Sequence, residues 1–310
     1  MTVIEQVGCR VGSRWRQKIE TSWMPYILLA PTLILLLAVV GYPIGVAFWM
    51  SFHHLDLLRP NPTPKFVGLE NYAEMLSRPD FWSAVTRSAI YTIGASMAAF
   101  VLGLAVALLL NERFPLRRLF RTAFMLPWAL PLVVSALTWK VMLDPQTGVI
   151  NDLLRWLGIV EQGPMWLQSA DWALPAVMLI DVWKDFPMAA LFLLGGLQAI
   201  PIELYEAART DGANAWQRFR HVTWPGLFGV ATILFLLQSV WIFRRFTTIY
   251  VLTAGGPAKA TETLVIQTYI EAFRNYELSY ASALGVLTLL VTLGFAGLYK
   301  RLLRGKGADL

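Results

Sequence analysis

The chain has 310 residues, of which 56% are hydrophobic and 15% charged, where a soluble domain carries roughly 25% charge. That leaves too little polar surface to meet water on every side, and it excludes an ordinary cytosolic enzyme and a disordered protein. Cys9 is the single cysteine, so neither an intrachain disulfide nor a cysteine-built metal site is possible, and His53, His54 and His221 are too scattered to form one.

Apolar runs of about 20 residues mark membrane-spanning helices. Six occur, at 26–49, 89–110, 122–143, 173–197, 227–250 and 281–302, which predicts an all-α polytopic protein with six transmembrane helices. The first run is too long for a signal-peptide core and comes after a long polar leader, so it reads as a retained anchor. The chain divides into an N-terminal tail over 1–25, a six-span domain over 26–302 and a C-terminal tail over 303–310. The segments on the side of the termini hold 15 Lys and Arg; the opposite loops hold 7, with 11 Asp and Glu. This bias places both termini in the cytoplasm, and it accounts for the formal charge of +6 without any nucleic-acid partner.

Between the first two spans, Pro60, Pro62 and Pro64 exclude a helix, while Asn71 to Leu76 can start a short interfacial one. In the third span, Lys140 near the outer end is expected to snorkel to the interface. The fourth and fifth spans carry intramembrane charge, which is costly and therefore a functional lead. At helical spacing, Asp181, Lys184, Asp185 and Met188 share one face, and so do Gln238, Trp241, Ile242 and Arg245. These charges either pair with one another or line a polar path. Arg244 sits beside Arg245 as a second base, and Pro187 is tolerated where helices line a cavity.

Between these two spans lies the most informative loop, 201–225. Pro201 suits a helix's first turn. Good helix formers run from Leu204 to Arg209, and Asp211-Gly212 is a break. Asn214 to Val222 can form a second helix, which Asp211 can cap, before Pro225 opens the next span. Ala207, Ala208 and Ala213 are small enough for another surface to approach, with Glu206 at the edge. The residues alone fit either a docking element or an ordinary amphipathic loop.

Glu206-Ala207-Ala208, three residues, Gly212, nine residues and Val222-Thr-Trp-Pro225 resemble the EAA loop of binding-protein-dependent ABC importer permeases, with Trp224 where the usual residue is Leu. Phe66-Val-Gly-Leu-Glu-Asn-Tyr72, Leu126-Pro-Trp-Ala-Leu-Pro131, Gly195-Gly-Leu-Gln-Ala-Ile-Pro201 and Leu252-Thr-Ala-Gly-Gly-Pro257 are similar to the carbohydrate-uptake branch, of the MalF/UgpA type. The resemblance implies a coupling helix between spans four and five, with Glu206, Ala207, Ala208, Asp211, Gly212, Ala213, Phe219 and Pro225 set against an ATPase. It implies a permease subunit in a bacterial inner membrane, forming half of a sugar pore. Its partners would be a sister permease, an ATPase homodimer and an extracytoplasmic solute-binding protein. The chain has no Gly-x-x-x-x-Gly-Lys-Ser/Thr loop, so ATP and Mg would be bound by the ATPase and this chain would be no enzyme.

The same resemblance places sugar contacts at Asp181, Lys184, Asp185, Met188, Gln238, Trp241, Ile242 and Arg245, with Trp241 as the ring that stacks on a pyranose face. Several of these positions are charged here, and Arg guanidinium suits an oxyanion. The substrate expected is therefore an anionic monosaccharide derivative, sulfonated, phosphorylated or uronic, or else a neutral disaccharide or oligosaccharide. Two other classes compete with this expectation. An ion-coupled secondary transporter would use Asp181 or Asp185 as proton carrier and leaves the EAA spacing unexplained. A membrane-embedded enzyme lacks an HExxH motif and a cytoplasmic Asp-rich metal motif.

Overall fold

The computed structural model describes residues 24, 26–55, 63–112 and 114–304; most of the expected terminal tails lies outside this range. The first helix, α1 (Tyr26–Met50), buries none of its apolar window within the chain. Its register slips through a π-helical stretch at Leu37–Gly41, just ahead of Pro43, which has no N–H to donate. A two-stranded ribbon comes next, with β1 (His53–His54) antiparallel to β2 (Lys65–Phe66). Helix α2 (Glu70–Ser77) is pinned to it: Asn71 Nδ2 donates to the carbonyls of Ser51 and His53 at 2.8 and 3.0 Å.

Helices α3 (Pro79–Asn111) and α7 (Ala170–Gln198) form the central pair. Ala95, Ala99, Gly103 and Ala107 recur every fourth residue along α3, the small-residue spacing that lets two membrane helices approach closely. A Cβ on Gly103 would lie 2.6 Å from that of Ala189 on α7, so only glycine permits this approach. Leu193, Leu197 and Leu227 extend the same core toward the 201–225 loop.

The expected third span is not one helix. It is α4 (Arg117–Ala129) and α5 (Leu132–Met142), bent by 95°. Pro131 supplies no N–H and holds Leu130 extended, at φ −69° and ψ 142°. Helix α6 (Val149–Trp156) lies in the loop beyond. The fifth span is also displaced: α9 (Ala215–Phe243) ends before Arg244, and α10 (Thr247–Thr253) is separate. Helix α11 (Leu264–Phe273) precedes α12 (Leu278–Arg304).

Among the described residues, four helices are long and apolar enough to cross a membrane: α1, α3, α9 and the Leu278–Phe295 part of α12. The bent α4–α5 pair passes as a fifth. Helix α7 has 29 residues but holds Asp181, Lys184 and Asp185 in its middle.

In the 201–225 loop, α8 (Ile202–Thr210) ends in a turn where Gly212 has φ +77°. The cap of the next helix is Asn214 rather than Asp211: Asn214 Oδ1 accepts from the Gln217 N–H at 2.9 Å while the Gln217 side chain accepts from the Asn214 N–H at 2.8 Å. From Ala215 the helix runs on through a π-helical stretch at Phe219–Thr223. Pro225 is therefore inside α9 and does not open it.

Candidate functional site

Five of the eight expected substrate contacts meet in one open cleft of about 660 Å³, within the usual size of a small-molecule pocket. Helix α7 supplies Lys184, Asp185 and Met188, and α9 supplies Trp241. Arg244, Arg245, Phe246 and Thr247 come from the segment after α9, and Trp128, Leu130 and Leu132 from the break between α4 and α5. Trp241 is half exposed, at 50%, and lines the cleft. Asp181, Gln238 and Ile242 do not line the cleft; they are buried behind it.

The charges are arranged in a fixed order. The Arg245 guanidinium donates to Asp185 and its Nε lies 3.7 Å from Asp181. Asp181 is completely buried and also accepts from the Tyr91 hydroxyl of α3. Lys184, 5% exposed, turns to the broken span and donates to the carbonyls of Pro127 at 2.7 Å, Trp128 at 2.9 Å and Leu130. Two carboxylates thus face one guanidinium, and the ammonium is answered by backbone carbonyls. Arg244 is the surplus cation: it is exposed on the cleft wall, and its guanidinium has no partner among the described residues. Lys140, at the end of α5, donates to the Val251 carbonyl at 3.0 Å, so it ties α5 to α10.

Sequence reasoning missed Tyr91 and the wall formed by Trp128, Leu130 and Leu132. Tyr91 gives no signal, being one of three hydroxyls, with Thr92 and Ser96, in an apolar run. The wall had one: Pro127 and Pro131 four residues apart inside a supposed span.

The 201–225 loop is a second candidate surface. Glu206, Ala207, Asp211, Gly212 and Pro225 are exposed or nearly so at the surface; Ala208, Ala213 and Phe219 are half-buried. The two arms are tied by Tyr205 Oη to Thr223 Oγ1 at 3.1 Å and by Arg218 to the Ala213 carbonyl at 3.0 Å. Ile202, Leu204 and Trp216 are also exposed, at 64, 52 and 67%. These exposed large apolar side chains were not expected from the EAA spacing.

Residues 99–306 match the family model described as binding-protein-dependent transport system inner membrane component. The trehalose/maltose transport system permease protein MalF of Thermococcus litoralis is 36% identical over 285 residues, covering 91% of this chain and 94% of that protein. The sulfoquinovosyl glycerol transport system permease protein SmoG of Agrobacterium fabrum is 33% identical, covering 94 and 95%. A bacterial ABC transporter structure involved in import of the acidic polysaccharide alginate superposes with a TM-score of 0.81 over 95% of this chain and 99% of the matched one, at 22% identity, which is a likeness of fold.

Proposed function

We propose that this chain, which belongs to the binding-protein-dependent transport system inner membrane components, takes an anionic monosaccharide derivative through the cleft beside Arg244. It is the permease subunit of an ABC sugar importer in the inner membrane, and ATP is hydrolysed by a partner ATPase rather than by this chain. It works with a periplasmic binding protein.

Beyond that coarse identity, the chain crosses the membrane six times, α7 being the span that carries the charges, with both termini in the cytoplasm. A sister permease forms the other half of the pore and covers α1, whose apolar window is left unburied by its own chain. Two ATPase copies dock below, one of them on 201–225, where Ile202, Leu204 and Trp216 offer apolar contact around Glu206. Closure of the ATPases is converted into alternating access by rigid-body helix motion.

The relatives' names point to trehalose or maltose in one case and to sulfoquinovosyl glycerol in the other, so names do not choose between neutral and anionic substrates. The observation that carries the choice is the surplus charge. Arg245 is answered by Asp181 and Asp185, whereas the Arg244 guanidinium is free in the cleft. A carboxylate, sulfonate or phosphate would complete it, with the sugar ring against Trp241.

Uptake in reconstituted importer tests this, using a sulfonated and a uronic monosaccharide beside a neutral disaccharide. Arg244→Gln should weaken anionic uptake about tenfold, the lower end of what a charge-assisted hydrogen bond contributes, roughly 1.5–3 kcal/mol, and leave neutral uptake unchanged. An equal effect on both, or none, would count against the anionic reading.

A further inference from the structure

The ammonium of Lys184 is placed unlike the other charges near the cleft. It leaves Asp185 to Arg245 and reaches across to the break in the neighbouring span, where the carbonyls of Pro127, Trp128 and Leu130 converge on it. These are carbonyls that a helix end leaves without intrahelical partners. Pro131 cannot donate to any of them, and the N–H of Ser135, in the first turn of α5, is taken by the Pro131 carbonyl at 2.9 Å. At membrane depth irregular backbone persists only where protein satisfies it or where it lines a water-filled cavity, and here the Pro127 bond to the ammonium is buried while those of Trp128 and Leu130 lie at the edge of the cleft. An ammonium has three N–H donors and no acceptor, and three carbonyls use all three. The negative end of the α4 dipole and the nearby Asp185 and Asp181 offset the cost of burying the charge.

We infer that Lys184 is a positioning residue, a pin that fastens the broken span to α7 and so fixes the Trp128–Leu132 wall of the cleft. Because its donors are spent on backbone, it does not hold the substrate's anionic group. The pin also joins α4, α5 and α7 into one body, so the break travels with α7 when the pore changes access. The assignment rests on the reading of this cleft as the substrate site only for its effect on transport; the pinning itself does not.

Hydrogen exchange on the assembled importer tests the pin without any substrate. Lys184→Met should raise exchange of the backbone amides over 128–134 by about tenfold and leave those over 95–107 of α3 unchanged. Lys184→Arg, which keeps charge and donors, should preserve most of the protection, and it serves if the methionine variant fails to assemble. In uptake assays Lys184→Met should lower anionic and neutral sugars by the same factor. Unchanged exchange over 128–134, or a loss confined to anionic sugars, would overturn the pin. If Arg244→Gln proves neutral while exchange in Lys184→Met rises, the anionic reading fails and the pin stands.

Discussion

The cleft and the 201–225 loop treat their side chains in opposite ways. In and behind the cleft, Asp181, Asp185, Arg245 and Lys184 all have partners within the chain, and one cation, Arg244, is left over. On the loop, Ile202, Leu204 and Trp216 stand exposed, with Trp216 stacked by one face on Phe219. The difference matches what the proposed function would have each surface meet. A small ligand brings few contacts, so its site must be held in shape beforehand and left incomplete by one interaction. A protein partner brings a whole surface, so its site can remain apolar and open, with only the backbone of the turn fixed.

The largest effect should come from that backbone. Gly212 sits at φ +77° with open space around it, so a side chain there is opposed by conformation alone. The left-handed region costs a non-glycine residue about 1–3 kcal/mol and a β-branched one more. Gly212→Val should therefore disorder the turn and abolish ATP-driven uptake while insertion stays normal, whereas Gly212→Asn, which tolerates this geometry, should retain most of it. Immunoblots must match expression. Full uptake by the valine variant would remove the case for a coupling role. Glu206→Lys tests the same surface through charge and should also suppress uptake.

A smaller effect should come from disturbing the paired charges. Asp185 and Arg245 are only 17 and 10% exposed, and breaking a buried pair by deleting one partner typically costs about 3–5 kcal/mol. Asp185→Asn should lower the apparent melting temperature of the assembled importer and weaken uptake of every sugar. Combining it with Arg245→Gln should cost less than the two single losses summed, because the ion pair they share is lost only once, while Asp181 keeps only its Tyr91 hydroxyl. A double variant whose losses simply add would show that the two groups do not act together.

Much of this could be read from residue order. The apolar runs gave the long helices, because hydrocarbon demands continuous apolar length, and the EAA spacing gave the turn at Gly212, because few residues accept its geometry. The polar faces of α7 and α9 brought Lys184, Asp185, Met188 and Trp241 to one cleft. Periodicity failed where the backbone stops being a helix. Ungapped helical spacing carried Arg245 onto the face of Gln238, yet α9 ends at Phe243, so Gln238 and Ile242 are buried while Arg244 and Arg245 turn into the opening. The same holds for 122–143, where hydropathy sees one span and Pro131 makes two helices. Partner choice was also beyond the sequence: nothing in Lys184 itself says that it answers carbonyls rather than Asp181.

The smallest effect should fall on Trp241, and its size separates a shaped site from a merely charged one. Its ring is half exposed in the cleft, so removing it leaves no buried cavity and should barely alter stability. What it would lose is contact with a ligand's flat, weakly polar sugar face, and aromatic contacts of this kind are worth about 0.5–1.5 kcal/mol beyond area. Trp241→Ala should therefore raise the half-saturating sugar concentration by about two- to tenfold, with the maximal rate little changed. Trp241→Phe should retain part of that affinity because a flat face remains. The change should be alike for anionic and neutral sugars, since ring contact does not depend on the charged group, and this sets it apart from Arg244→Gln. If Trp241→Ala left the half-saturating concentration unchanged for every sugar, the ring would have to point past the bound sugar, and the cleft would be selecting its cargo through Arg244 alone.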